Sequence, residues 1–258
     1  GVLQPRICVS IAGANQSLFT RIFAGQGGID PYTTAVSDIY QDIFDEGIFT
    51  GKGIYEVDVF RKVLEERIPE NAVLSHDLLE GCYLRAGLVS DIELVDGYPG
   101  RYNSYTARQH RWTRGDWQLL PWLAGRVRIR DGTRVRNTLS CISRWKIIDN
   151  LRRSLLFPSL LLLFIAGICL LPGNDLVWIG LVILVACLPL ATGFLSTLLT
   201  GNIRAFSSKA NSTSITGIRA ALCQSLLLFM FIPHQAWLMT DAIIRTIYRV
   251  FVSRKNML

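Results

Sequence analysis

Two short stretches carry residues whose types and spacing suit chemistry. The first is Ser75-His76-Asp77-Leu78-Leu79-Glu80-Gly81, and the second is Arg108-Gln109-His110-Arg111-Trp112-Thr113-Arg114-Gly115. A carboxylate such as Asp77 can take a proton from a hydroxyl. Guanidinium groups such as Arg108 and Arg111 can grip a phosphate-rich leaving group, and a Trp face can carry a sugar ring. Together these are the parts that sugar transfer from a nucleotide requires. A third stretch, Phe49-Thr50-Gly51-Lys52-Gly53, sets two glycines around a lysine beside a threonine. Glycine lets a backbone approach a ligand closely. The stretch lacks P-loop spacing, and taken alone it reads as a β-turn. Each site has a plainer reading too. Asp77 sits where a helix begins, so helix capping explains it equally well. An Arg/Trp-rich helix also suits a membrane boundary.

The elements that must position these residues can be read from hydrophobic period and turn signals. Gly1 to Ile11 alternates partly like a strand, and Ser17 to Phe23 reads as a short helix. Gln26 to Pro31 is a turn-rich loop, and Tyr40 to Phe44 a helical turn. Nearby Asp38, Asp42, Asp45 and Glu46 point in several directions and read as a solvated acidic face. Val57 to Ile68 is amphipathic, with Val59, Phe60, Val63 and Leu64 packing. A Gly-bearing turn is expected at Ala86-Gly87, a strand over Asp91 to Val95 and a second site helix over Ser104 to Trp117. Arg108 and Trp112 are four apart and share a face of that helix. Gly125 to Arg136 is a basic loop, and Trp145 to Arg153 an amphipathic approach to the membrane.

The rest of the chain is markedly apolar. The protein has 258 residues, 50% of them hydrophobic, and a mean hydropathy of +0.31. From Leu151 onward there are nine Lys/Arg and two Asp/Glu, while the first 150 residues carry 18 of each sign. All the net charge of +7 therefore lies in the apolar half. That pattern argues against a nucleic-acid surface and for cations flanking membrane segments. Leu155 to Leu171 is uncharged, and at about 1.5 Å per residue it spans roughly 26 Å of a core about 30 Å thick. Leu176 to Thr200 is a second span after the turn Pro172-Gly173-Asn174-Asp175. The segment 220–252 is interrupted at Pro233-His234-Gln235, and a hairpin or re-entrant pair turning there would return its basic end to the starting side. A single interfacial continuation is the alternative, and His234 reads as a turn residue. The positive-inside rule places residues 1–150 in the cytoplasm and Asp175 outside.

Six scattered cysteines without a CxxC read as free thiols, and three histidines are too few for a His-based metal cage. No initiator Met or signal peptide opens the chain, and it ends in a basic amphipathic stretch. A fragment of a longer polypeptide is the expectation.

The ordered motifs add a resemblance. Ser75-His76-Asp77-Leu78-Leu79-Glu80-Gly81 followed by Arg111-Trp112-Thr113-Arg114-Gly115 resembles the second half of a family-2-type glycosyltransferase domain, with its Thr-Glu-Asp base motif and Gln-x-x-Arg-Trp helix. Tyr40 to Tyr55, Asp116-Trp117-Gln118 and Pro233-His234-Gln235-Ala236-Trp237 narrow it to the cyclic β-1,2-glucan synthase branch. The resemblance implies a partial α/β GT-A-type domain over 1–150, then a helical transmembrane region over 151–258. It implies an inverting transfer of glucose from UDP-glucose to a growing β-glucan chain. Asp77 would be the general base, and Arg108, Gln109 and Arg111 would hold the donor pyrophosphate. Gly51, Lys52, His76 and Trp112 would bind the acceptor. Two departures stand out: His76 replaces the Glu of the base motif, and Arg108 stands where the Gln of the helix motif belongs, with Gln109 one residue on. The family's Asp-x-Asp for Mg²⁺ is absent, so metal ligands are expected upstream and this piece alone is expected to be inactive. The implied setting is a multi-pass protein of the bacterial inner membrane, with the lipid bilayer as a partner and no nucleic acid. Rival readings are a cellulose- or hyaluronan-type synthase, a metal phosphohydrolase built on His76-Asp77, and a purely structural membrane module.

Overall fold

A single buried strand, β1 (Val2–Val9), anchors the first part of the chain. In the computed structural model, which describes residues 1–24, 39–74, 77–188, 190–191, 195 and 217–253, it lies between two partners. β2 (Ile54–Tyr55) pairs with it antiparallel, and β3 (Ala86–Asp96) pairs parallel. The β1–β3 register shifts between Pro5 and Arg6. Proline has no N–H to give the ladder, so a bulge beside it is the expected break.

Short helices surround this sheet. They are α1 (Ile11–Ala14), α2 (Leu18–Phe23), α3 (Ile39–Phe44), α4 (Val57–Leu64), α5 (Asp77–Leu84) and α6 (Tyr102–Gln118). Ser17 caps α2 with its hydroxyl in a capping box with Thr20. Ala86 and Gly87, expected to form a turn, instead begin β3, paired with Val2 and Leu3. The chain reverses one residue earlier, at Arg85, whose φ is 60°. Pairing with a buried strand overrides the turn tendency of Gly87. The loop Gln26 to Pro31 lies outside the described residues.

After α6, a 3₁₀ turn (Leu120–Leu123) leads into a hairpin, β4 (Arg126–Arg128) and β5 (Arg134–Arg136). Then comes α7 (Cys141–Cys169), one helix of 29 residues. The amphipathic approach and the first expected span are thus one element. Ser140 caps it by accepting from the Ser143 N–H. Its first half buries Ser143, Ile147, Leu151 and Ser154, spaced three and four apart, with Lys146 and Asp149 buried beside them. The main core shows this joint directly, since Leu79 of α5 and Ile147 of α7 are both fully buried in it. Past Leu155 the outward residues are bare, with Leu162 at 69% exposure.

α8 (Asp175–Ala186) comes after the expected turn, and the Asn174 side chain caps it. Its Trp178 lies so close to Gly167 of α7 that a β-carbon there would sit 2.4 Å away. Most of the rest of the expected span 176–200 lies outside the described residues. α9 (Gly217–Ile247) runs straight through Pro233 and ends in a π-helical turn, Tyr248–Ser253. No hairpin forms at Pro233, which corrects the interrupted reading of 220–252. An internal proline removes one backbone hydrogen bond. Packing on both sides of it holds the helix on course. Ile232 joins Leu160 and Val182, while Gln235, Ala236 and Met239 are buried. Two helices, Cys141–Cys169 and Leu222–Ser253, are long and apolar enough to cross a bilayer, which fits a membrane region.

Candidate active site

The site is built on the loop from Glu46 to Gly53, and the loop's path is dictated by close contacts. Glu46 is buried and accepts from Lys146 Nζ at 2.7 Å, and that ammonium also donates to the Gly47 carbonyl at 2.8 Å. Gln4, fully buried on β1, accepts from the Thr50 N–H at 2.9 Å and donates to the Lys52 carbonyl at 3.1 Å. One side chain thus holds both shoulders of Gly51. A β-carbon on Gly53 would lie 2.4 Å from the Leu3 carbonyl oxygen, and one on Gly81 would lie 2.7 Å from Phe49. Glycine at these positions lets the loop lie flat between β1 and α5.

Gly51 has a φ of +91°, and a β-carbon there would lie 2.7 Å from the Asp77 carboxyl group. The loop backbone therefore presses on the carboxylate that opens α5. Leu78 and Leu79, buried behind it, fix the helix, and Gln118 of α6 accepts from the Leu74 N–H just before it. Glu80 lies one turn on. Burial, with the nearby Asp77 charge, raises its pKa to about 7.

Asp77 faces a cavity of about 340 Å³. Gln109 and Trp112 of α6 line it too, with Tyr105, Thr113 and Asp116 from the same helix face. Thr50 lines it from the loop, and its hydroxyl is buried without a hydrogen-bond partner. The far wall belongs to the apolar helices: Asn150, Arg153 and Ser154 of α7, and Gln235 of α9. Trp117 Nε1 donates to Ser154 Oγ at 2.8 Å, and Asn150 Nδ2 reaches Asp116 at 3.4 Å, tying α6 to α7. α9 is tied to α6 by His110 Nε2 with Asp241 at 3.0 Å and by Tyr102 Oη with His234 Nδ1 at 2.9 Å. His234 is thus a helical residue bonded to α6, not a turn residue.

The residues singled out from sequence divide into groups. Asp77, Gln109 and Trp112 share the cavity, and Gly51 touches Asp77. Arg108 lies behind Trp112, its guanidinium 4.7 Å from that ring and 5.6 Å from the ring of Tyr98. Burial lowers its pKa, and its Nε has no hydrogen-bond partner. Lys52 points away from the cavity and pairs with Asp96 at the end of β3, whose pKa that bond depresses. Arg111 is exposed and does not line the cavity. His76 lies outside the described residues. Among the described residues no group of three His, Cys, Asp or Glu side chains could hold a metal ion.

Sequence reading missed Tyr105, Thr113 and Asp116, although with Gln109 and Trp112 they recur at the period of one helix face. It also missed Asn150, Ser154 and Gln235. Their signal is polarity within or beside apolar runs, which marks a functional lining more often than a structural accident.

No family model matches the chain. Over 259 residues it is 46% identical to a protein of Rhizobium meliloti strain 1021, the cyclic beta-(1,2)-glucan synthase NdvB, and the match takes in the whole of this chain. The chain is homologous to a segment of NdvB. It spans 9% of that protein's length. One alignment covers the Asp77 cavity and the apolar helices together, in keeping with a cavity whose walls come from both.

Proposed function

We propose that this chain is the acceptor side of a glycosyltransferase active site in a cyclic β-1,2-glucan synthase, together with the membrane helices that continue it. The observation that carries the reading is the shared cavity. A carboxylate, an amide, an indole and an unpartnered hydroxyl converge there, and the apolar helices set four polar side chains, Asn150, Arg153, Ser154 and Gln235, in the opposite wall. The α/β part would be the C-terminal portion of a GT-A-type domain.

In this reading Asp77 accepts the proton of the 2-hydroxyl of the terminal acceptor glucose. That oxygen attacks C1 of UDP-glucose, the bond from C1 to the UDP oxygen breaks, and the configuration at C1 inverts. UDP departs with the bonding electron pair. A positioned base contributes about 10²- to 10⁴-fold to such a step. Gly51, by lying against the carboxylate, fixes where the base points. Trp112 carries the acceptor ring, held from behind by Arg108 through cation–π contact. Thr50 Oγ1 and Gln109 supply hydrogen bonds to sugar hydroxyls or to the donor. Arg111 meets the pyrophosphate from the open side. Mg²⁺, which neutralises donor phosphates in the family, would be held by residues outside the described part of this chain, and no step here depends on it. The helices α7 and α9 lie in the bacterial inner membrane, with the α/β part on the cytoplasmic side.

The test is made on the intact synthase in native membranes supplied with labelled UDP-glucose, and the product is then subjected to linkage analysis. β-1,2-linked glucan supports the reading. A β-1,4-linked polymer, or incorporation only from another nucleotide sugar, overturns the branch and favours a synthase of cellulose or hyaluronan type.

A further inference from the structure

The hairpin β4–β5 holds Arg126, Arg128, Arg130, Arg134 and Arg136 within eleven residues. Its register sets Arg126 opposite Arg136, Val127 opposite Val135 and Arg128 opposite Arg134. The pleat therefore puts four arginines on one face and the valines on the other. Val127 is buried with Trp122 and Leu139 and supplies the packing, while Val135 opposite it is exposed. The four arginines are exposed. Like charges directly opposite each other destabilise a strand pair. The nearest carboxylates among the described residues are engaged elsewhere: Glu70, on the cavity that Arg126, Arg128 and Arg134 border, takes Arg130 at 2.6 Å, and Asp131 is occupied by the Thr133 N–H and hydroxyl in the turn. Among the described residues none of the four has an ion-pair partner. Folding the hairpin requires none of these charges, so an anion outside the protein is their natural complement.

The surroundings of the hairpin say which anion. Arg126, Arg128 and Arg134 border a cavity of about 460 Å³ whose other side is Val250 and Phe251 of the π-helical turn. Tyr248, Phe251 and Val252 there are 57%, 51% and 65% exposed. They continue the bare stripe Leu226, Met230, Trp237 and Ile244 along α9. Cations that match phosphate thus meet an apolar rim, the chemistry of a lipid headgroup above its acyl chain. A nucleic-acid surface would want a broad basic field, and residues 1–150 carry equal numbers of each charge.

We propose that the arginine face of β4–β5 docks on anionic phospholipid, gripping headgroup phosphates while the π-helical turn seats its apolar side chains at the acyl boundary. This goes beyond the transfer reaction and rests only on the membrane placement of α9.

The test uses the intact protein in nanodiscs of zwitterionic lipid doped with photoactivatable phosphatidylglycerol or, in parallel, photoactivatable phosphatidylcholine. Crosslinks are mapped by peptide. Labelling of the 126–136 peptide is expected to favour phosphatidylglycerol by roughly tenfold or more, since each cation near an anionic surface adds to the attraction. It should fall to the phosphatidylcholine level in the Arg126→Gln, Arg128→Gln, Arg134→Gln, Arg136→Gln variant and persist in the corresponding four-lysine variant. Equal labelling of the wild type by both lipids overturns the proposal whatever the variants do. So does labelling that survives the four-glutamine change. Stronger labelling of this peptide by a photoactivatable oligonucleotide would overturn it too and assign the face to nucleic acid. The readout is independent of glucan synthesis, so its failure is distinct from failure of the transferase reading.

Discussion

Two lysines hold the two ends of the Glu46–Gly53 loop, and they do so in opposite media. Lys146 is 2% exposed and its partner Glu46 7%, with two backbone carbonyls completing the ammonium's contacts. Lys52 is 43% exposed and its partner Asp96 40%. The first pair lies in the core that joins α5 to the base of α7, and the second lies in water at the rim. A buried pair is costly to break because a lone charge is left behind, whereas an exposed pair is worth little. The dry end therefore couples the loop beside Asp77 to the long apolar helix α7, and the wet end leaves the loop's outer edge adjustable.

Substitutions can break this contrast in graded steps. Glu46→Ala strands the Lys146 ammonium and should destabilise the protein by about 3–5 kcal/mol, read as a large drop in apparent unfolding temperature. Replacing the pair together, Glu46→Gln with Lys146→Met, should cost clearly less, and an equal loss would show that charge burial is not the source. Gly51→Ala acts between the two ends. It forces a β-carbon against the Asp77 carboxyl group at a positive φ, at a strain of about 1–3 kcal/mol. Displacing Asp77, the proposed base, should lower the turnover number on the order of 10²-fold while the protein stays folded.

Glu80, on the same helix as Asp77, gives a pH signature. Its pKa is raised to about 7 from 4.5, so between those values the folded state binds more protons than the unfolded state. Stability contributed by the neutral acid is present below that window and is lost as pH rises through it. An unfolding series across pH 4.5 to 7 should flatten in Glu80→Gln, and an unchanged slope would remove Glu80 from the account. The smallest effect belongs to the wet end. Lys52→Met should change stability by about 0–1 kcal/mol and, with salt screening, by less as ionic strength rises.

The same contrast explains what the sequence disclosed. Local patterns were readable: the short helix α2, the amphipathic α4, the helix carrying Gln109 and Trp112, and the turn at Pro172-Gly173-Asn174. Partners far apart in sequence were not. Gln4 meets Thr50 across 46 residues and Lys146 meets Glu46 across 100, and no spacing rule announces either. The family resemblance made Lys52 an acceptor contact where the residues alone read as a β-turn, and in the structure the acidic end of β3 pairs with it. Arg108 and Arg111 lie within a turn of Gln109 and Trp112, yet a helix turns about 100° per residue, which places Arg108 behind the indole and Arg111 toward solvent. The break expected at Pro233 failed for the converse reason, since flanking contacts with α6, α7 and α8 outweigh the one lost hydrogen bond.

The most direct measurement compares wild type with Asp77→Asn in the intact synthase. Glucan synthesis from labelled UDP-glucose and binding of UDP-glucose would be measured on the same membranes. The account predicts synthesis reduced on the order of 10²- to 10⁴-fold with donor binding retained, because the base acts on the acceptor alone. Synthesis at the wild-type rate in Asp77→Asn would contradict it and move the catalytic carboxylate out of this cavity.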